Sequence, residues 1–256
     1  ARWPEVSASD VESEERREGA TDVINLVDAA ARQVRERGRI GDEILRKVSR
    51  LGPQEAMFFL YVVERWANSS WEVLDELSDS IPRVKEVVLP KVAQYARGMF
   101  GVEMPLRASR GWTDKVLEAL KDITVGDPRE ARERGMDEYL YPLASSELFE
   151  GVVSWERFRE VLKYVPAQVL LDRQNESPTF LDFLEAASKV PGSYLRVYVV
   201  TKEREDERVT IDGILLPAQP EASGAIEGLL KGALGAPERF ELFDERGKRY
   251  IDIWWD

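Results

Sequence analysis

Leu195-Arg196-Val197-Tyr198-Val199-Val200 is the stretch at which the period of the chain changes. Leu195, Val197 and Val199 alternate with Arg196, Tyr198 and Val200, the period of two that a strand with one buried face requires. Val209 and Ile211 alternate in the same way with Thr210 and Asp212, and the charged link Lys202–Arg208 joins the two runs as a hairpin. Phe240-Glu241-Leu242-Phe243 and Tyr250-Ile251-Asp252-Ile253-Trp254-Trp255 read as a second hairpin. Its turn, Asp244-Glu245-Arg246-Gly247, offers a glycine where φ must be positive. A helix over Ala222–Leu234 lies between the hairpins. From Pro191-Gly192 onward the chain therefore reads β-β-α-β-β.

Upstream the period is 3.6. Ile24, Val27, Ala31 and Val34 share one helical face, and Gly38 and Gly41 break the run. A short helix follows with Asp42 near its start and Ile44, Leu45 and Val48 apolar. After Gly52-Pro53, Met57–Val63 is apolar on every side and reads as a central buried helix continuing past Trp66 to Trp71, Leu74 and Leu77. Pro82 opens the next helix, with Pro90 predicting a kink inside it. Residues 101–111 read as a loop. Helices resume at Thr113–Ile123, at Pro128–Arg134 behind the cap Asp127, at Trp155–Tyr164 behind Ser154, and from Ser177-Pro178 to Lys189. The expected class is α+β, a mostly helical N-terminal region followed by a small antiparallel β-β-α-β-β sheet unit. The expected organisation is a flexible acidic arm over 1–20, an all-helical domain over 21–150 and an α+β domain over 151–256. The boundary near 150 is taken from the change of pattern.

Composition bounds the chemistry. The 256 residues hold 36 Lys plus Arg against 48 Asp plus Glu, a formal net charge of −12, with 43% apolar and 9% aromatic residues. That is a folding composition. Arg outnumbers Lys 26 to 10, and Asn (3) and Gln (6) are scarce. Many charges with few amides suit a thermophile's protein; GC-rich coding would give the same Arg bias. No run of about 18 apolar residues exists to span a membrane. Ala1-Arg2-Trp3-Pro4-Glu5 lacks the apolar stretch of a signal peptide. Without cysteine there is no disulfide framework. A cytoplasmic protein with no membrane association is expected.

There is also no histidine. Ser-His-Asp and Cys-His nucleophile systems, thiolate or imidazole zinc, and iron–sulfur clusters are therefore excluded. The single Gly-Lys, Gly247-Lys248, lacks the rest of a phosphate loop, and the Gly-x-Gly-x-x-Gly spacing is absent. No cofactor is expected, and catalysis is not the leading expectation.

Four constellations remain. Gly224, Gly228 and Gly232 recur every fourth residue on the helix flank opposite its apolar side. Each interior glycine costs about 1 kcal/mol relative to alanine. A docked partner helix would compensate, as would packing within the protein itself. Trp254 and Trp255 are adjacent on a strand, so only one can face the core. The other is an exposed ring or an interface anchor. Arg32, Arg35, Arg39, Arg46, Lys47 and Arg50 form a basic segment suited to nucleic-acid phosphates, or to a solvated helix face. Asp212, Asp244 and Glu245 are the acids placed for a divalent metal, though the Asp/Glu-x-Lys spacing of metal-dependent nucleases is missing. The leading expectation is a non-catalytic interaction or scaffold protein that binds a protein partner or itself. A nucleic-acid-associated factor comes second, and a carboxylate–metal phosphoryl-transfer enzyme third.

Overall fold

The computed structural model describes residues 8–143 and 146–256, without the side chains of residues 8–21. The chain divides into two compact units, residues 1–92 and 93–256.

The first unit is helical. It holds α1 (Ala8–Arg37), α2 (Asp42–Val48), α3 (Pro53–Ala67), α4 (Trp71–Leu77) and the N-terminal part of α5 (Ser80–Phe100). Inside it, α1 packs on α2 and α3, and α3 on α4. α1 begins at Ala8, within the stretch expected to be a flexible arm; residues 1–7 lie outside the described residues. Its buried stripe runs through Val23, Ala30 and Val34, and Ile24 points outward. The Ser80 hydroxyl accepts the Ile40 N–H at 3.0 Å, and the Arg83 guanidinium donates to the Ile40 carbonyl at 2.8 Å. These bonds tie the α1–α2 turn to α5.

Met57–Val63 is not buried on every side. Ala56, Phe59, Leu60, Val63 and Ala67 form one buried flank of α3, while Phe58 is exposed. Seven consecutive apolar residues conceal an ordinary amphipathic stripe. The helix also stops at Ala67 instead of continuing to Leu77. The Ser70 hydroxyl accepts the Val73 N–H and starts α4, which leaves Trp71 84% exposed. α5 runs on through Pro90, which is exposed.

The second unit adds α6 (Trp112–Ala119), α7 (Pro128–Glu133), α8 (Trp155–Val161), α9 (Phe180–Lys189) and α10 (Ala222–Gly232). Its strands are β1 (Tyr139–Pro142), β2 (Leu148–Ser154), β3 (Tyr194–Val200), β4 (Arg208–Pro217), β5 (Arg239–Glu245) and β6 (Lys248–Trp254). They form one antiparallel sheet in the order β1-β2-β3-β4-β6-β5. The α+β class holds, with six strands in place of four. β1 and β2 extend the sheet on the β3 side.

One sheet face carries the core. α8 packs on β2 and β3, α9 on β3 and β4, and α10 on α9. Leu195, Val197, Ile211, Ile214 and Ile253 are buried there, along with Phe158, Phe183 and Trp255. α9 starts at Thr179, whose hydroxyl and the Asp182 carboxylate form a reciprocal cap. The unit boundary falls near residue 92, not near 150. The segments between belong with the sheet: α7 packs on β1, and Thr124 bridges to Leu140. Among the described residues no helix is long and apolar enough to cross a membrane.

Candidate functional site

Strand parity builds the site on the second face of the sheet. Opposed residues of antiparallel strands share a face. The pairs Tyr141–Glu150, Glu150–Tyr198, Arg196–Gly213, Gly213–Trp254 and Arg239–Trp254 therefore carry one polar and aromatic surface across the sheet. Most of these side chains are half-buried.

A β-bulge lies at its centre. Arg196 pairs with Gly213, but the next residue, Val197, pairs with Ile211. Asp212 is the residue left without a partner in the ladder. The bulge is held from the other side, where the Trp255 N–H donates to the Asp212 carbonyl at 2.8 Å. Gly213 is needed beside it. A Cβ there would meet Arg196 Cδ at 2.8 Å and the Ile253 carbonyl at 2.9 Å. Gly151 is needed too, because a Cβ would lie 2.0 Å from the Tyr139 carbonyl.

Asp212 is 7% exposed. Its Oδ2 accepts the Trp254 indole N–H at 2.9 Å. Its Oδ1 is fully buried and, among the described residues, has no hydrogen-bond partner. Burial, with a smaller push from the Glu150 charge, raises the Asp212 carboxyl to about 6; the Trp254 bond and Arg196 oppose the rise. Leaving a buried acceptor unsatisfied costs about 1–3 kcal/mol.

Two neighbouring networks frame Asp212. In the first, the Tyr198 hydroxyl donates to Glu150 Oε2 at 3.1 Å. Burial and then the Glu150 charge hold the Tyr141 and Tyr198 phenols above their ordinary range, so both stay protonated donors. In the second, Arg196 grips Asp252 with two bonds of 3.2 and 2.9 Å, and Arg239 reaches the same carboxylate at 3.2 Å. The Arg239 guanidinium also lies over the Trp254 ring, 5.4 Å from its centroid.

A cavity of about 200 Å³ lies over this group, lined by Tyr139, Tyr141, Glu150, Tyr198, Asp212 and Trp254 among others. A larger cleft of about 420 Å³ shares Tyr139, Val152 and Arg196 with it and extends toward α7 and the β5–β6 turn. Tyr194, Tyr250 and Phe243 make an aromatic wall there, with Tyr250 edge-on to Tyr194 at 6.1 Å and stacked on Phe243 at 5.6 Å.

The residues singled out in the sequence are distributed as follows. Trp254 belongs to the site. Trp255 belongs to the core, 2% exposed, edge-on to Phe183 at 5.7 Å, with its indole N–H on the Gly235 carbonyl. Asp212 belongs to the site, but Asp244 and Glu245 do not join it. Asp244 pairs with Arg249, and Glu245 sits opposite Lys248, six residues along β6 from Trp254. That is about 20 Å of strand. Among the described residues no group of three or more acids is placed to hold a metal. Among the described residues nothing lies within 4 Å of where a Cβ would stand on Gly224 or Gly228, so both face open space. A Cβ at Gly232 would collide with the Asp182 carboxylate. Arg32, Arg35, Arg39, Arg46, Lys47 and Arg50 lie in the first unit, and Lys47 pairs with Glu43 at 3.1 Å. Sequence reasoning did not single out Tyr141, Glu150, Arg196 or Tyr198. The one signal available was the alternation of Arg196 and Tyr198 with buried neighbours on β3; Tyr141 and Glu150 lie on strands without it.

Comparison with protein-family models, with curated proteins and with solved structures finds no match to this chain.

Proposed function

We propose that the protein is a non-catalytic interaction protein whose second unit receives part of a protein partner on the polar face of its sheet. One observation carries this reading. Among the described residues the buried Oδ1 of Asp212 is left unsatisfied beside a cavity, on a β-bulge whose neighbour Gly213 leaves room for no Cβ. A folded protein tolerates such an acceptor when a ligand group completes it. The absence of His and Cys from the sequence supports binding over nucleophilic chemistry.

A second reading, acid–base hydrolysis by two carboxylates, is favoured by the raised Asp212 carboxyl near the Glu150 charge. One screen separates the two. The full chain is exposed to amines, short peptides, sugars, nucleotides and aryl glycosides while the backbone amide resonances are followed. Ligands that move the Asp212 and Trp254 resonances with no product formed support the interaction reading. Turnover of an aryl glycoside that is lost in Asp212→Asn overturns it in favour of the second.

A further inference from the structure

We propose that the cavity over the bulge binds an organic cation, a primary ammonium or guanidinium group held between the carboxylates of Asp212 and Glu150. This rests on the interaction reading and adds the charge and chemistry of the group that is bound.

The distribution of charge around the cavity selects the ligand. Two guanidiniums, Arg196 and Arg239, line it, and both are committed to Asp252. Arg239 also reaches Glu241 at 3.3 Å. Among the described residues neither Asp212 nor Glu150 has an ion-pair partner. Glu150 accepts from the Tyr198 hydroxyl, and Asp212 accepts from the Trp254 indole through Oδ2 alone. The Glu150 charge thus acts on Asp212 against that of Arg196, whose hydrogen bonds are spent on Asp252, and Asp212 keeps an empty acceptor.

Other ligand classes fit less well. An anion would face both carboxylates. A Ca²⁺ or Mg²⁺ ion wants six or more oxygens, and among the described residues no group of three acids is placed to hold a metal. A neutral hydroxyl would satisfy Oδ1 but leave the repulsion between the carboxylates. An ammonium or guanidinium answers the charge of both carboxylates, and a small turn of the Asp212 carboxylate toward the cavity gives Oδ1 a charge-assisted hydrogen bond to it. Tyr139, Tyr141 and Trp254 line the same cavity and add the aromatic surface on which such cations settle. The volume, about 200 Å³, equals roughly six or seven waters. It suits the end of a side chain or a small amine.

Binding must depend on pH. The groups facing Asp212 are Tyr141 on β1, Glu150 on β2, Arg196 and Tyr198 on β3, Arg239 on β5 and Trp254 on β6. Asp212 titrates near 6 in the free chain, so at pH 5 only about a tenth of it is ionised. A cation that needs the carboxylate binds about tenfold more weakly at pH 5 than at pH 8.

The test is isothermal titration of the full chain at pH 8. The free cations are n-butylammonium and methylguanidinium, and n-butanol is the neutral control. Acetyl-Gly-Lys-Gly-amide and its arginine counterpart present the same groups as side chains. The expected result is that cations bind and n-butanol does not. Asp212→Asn and Glu150→Gln should each weaken binding at least tenfold, and pH 5 should weaken it about tenfold. Asn keeps the acceptor for Trp254, and an unchanged near-ultraviolet spectrum confirms that each variant is folded. Peptides binding more tightly than free amines point to a side chain of a protein partner, and the reverse order points to a free amine; both support the cation site. Binding of n-butanol as tight as that of the cations and indifferent to Asp212→Asn overturns the cation site but leaves the interaction reading. Failure of every probe, charged or neutral, to move the Asp212 and Trp254 resonances overturns both.

Discussion

Asp212 is held in the folded chain at a cost that pH can remove. Its carboxyl is raised from 3.8 to about 6, chiefly by burial. The protonated form is the one the fold favours. The stability it confers is fully present below about pH 4 and is lost as pH rises through about 6. A rise of that size is equivalent to about 3 kcal/mol at most. Asp212→Asn removes that charge and keeps the acceptor for the Trp254 indole. The variant should match the parent chain at pH 4 and exceed it by up to about 3 kcal/mol at pH 8, read from urea midpoints at the two pH values. A parent chain equally stable at both, relative to the variant, would mean that Asp212 is ionised without strain. Asp212 and Trp254 were both visible in the sequence, but as members of separate constellations, an acidic group and an aromatic pair. What joins them is the bulge after Arg196, and no residue pattern in β3 or β4 announces a ladder slip of one residue.

At the scale of elements, the long strands and capped helices were legible, and the short elements were not. β3 alternates cleanly, β4 alternates only in residue type from Val209 to Asp212 and is buried without a break from Val209 to Ile214, and the turn of the second hairpin places Arg246 and Gly247 at positive φ. β1 is four residues ending in Pro142, and β2 runs Leu-Phe-Glu-Gly-Val-Val-Ser with no strict alternation. Their pairing depends on β3, so no local window reveals them, and Glu150 and Tyr141 went unread with them. Long-range capping is hidden in the same way. The Glu207 carboxylate accepts from the N–H groups of Gly111 at 2.8 Å and Thr113 at 3.0 Å, and from the Thr113 hydroxyl at 2.7 Å. It caps α6 from almost a hundred residues away. Glu207→Ala should cost about 1–2 kcal/mol and speed amide exchange over residues 111–116, while Glu207→Gln keeps an acceptor and costs less. α10 offers a paired experiment. Gly228 faces open space, so Gly228→Ala should stabilise the isolated chain by about 0.5–1 kcal/mol through helix propensity. Gly232→Ala should destabilise it, because the new methyl meets the buried Asp182 cap. A Gly228→Ala variant less stable than the parent would show that the flank is already covered in the free chain.

For the whole molecule, the division into residues 1–92 and 93–256 sets how the chain should come apart. The second unit contains its own core on one sheet face, from Phe158 and Phe183 to Ile253 and Trp255. It also holds every residue of the candidate site. A unit with its own core is expected to fold alone. A chain of residues 93–256 should therefore unfold in one cooperative urea transition. It should keep the exchange protection that β3, β4 and β6 have in the full chain, and bind n-butylammonium with the same affinity. Tryptophan reports on this directly. Trp155 and Trp255 are buried in the second unit, whereas Trp71 in the first is 84% exposed. The blue-shifted part of the emission should survive the truncation, and the red-shifted part contributed by Trp71 should disappear. A fragment with red-shifted emission and no protected amides would mean that the sheet cannot hold Asp212 at its bulge without residues 1–92. The strain at the site would then belong to the whole chain and not to the sheet unit.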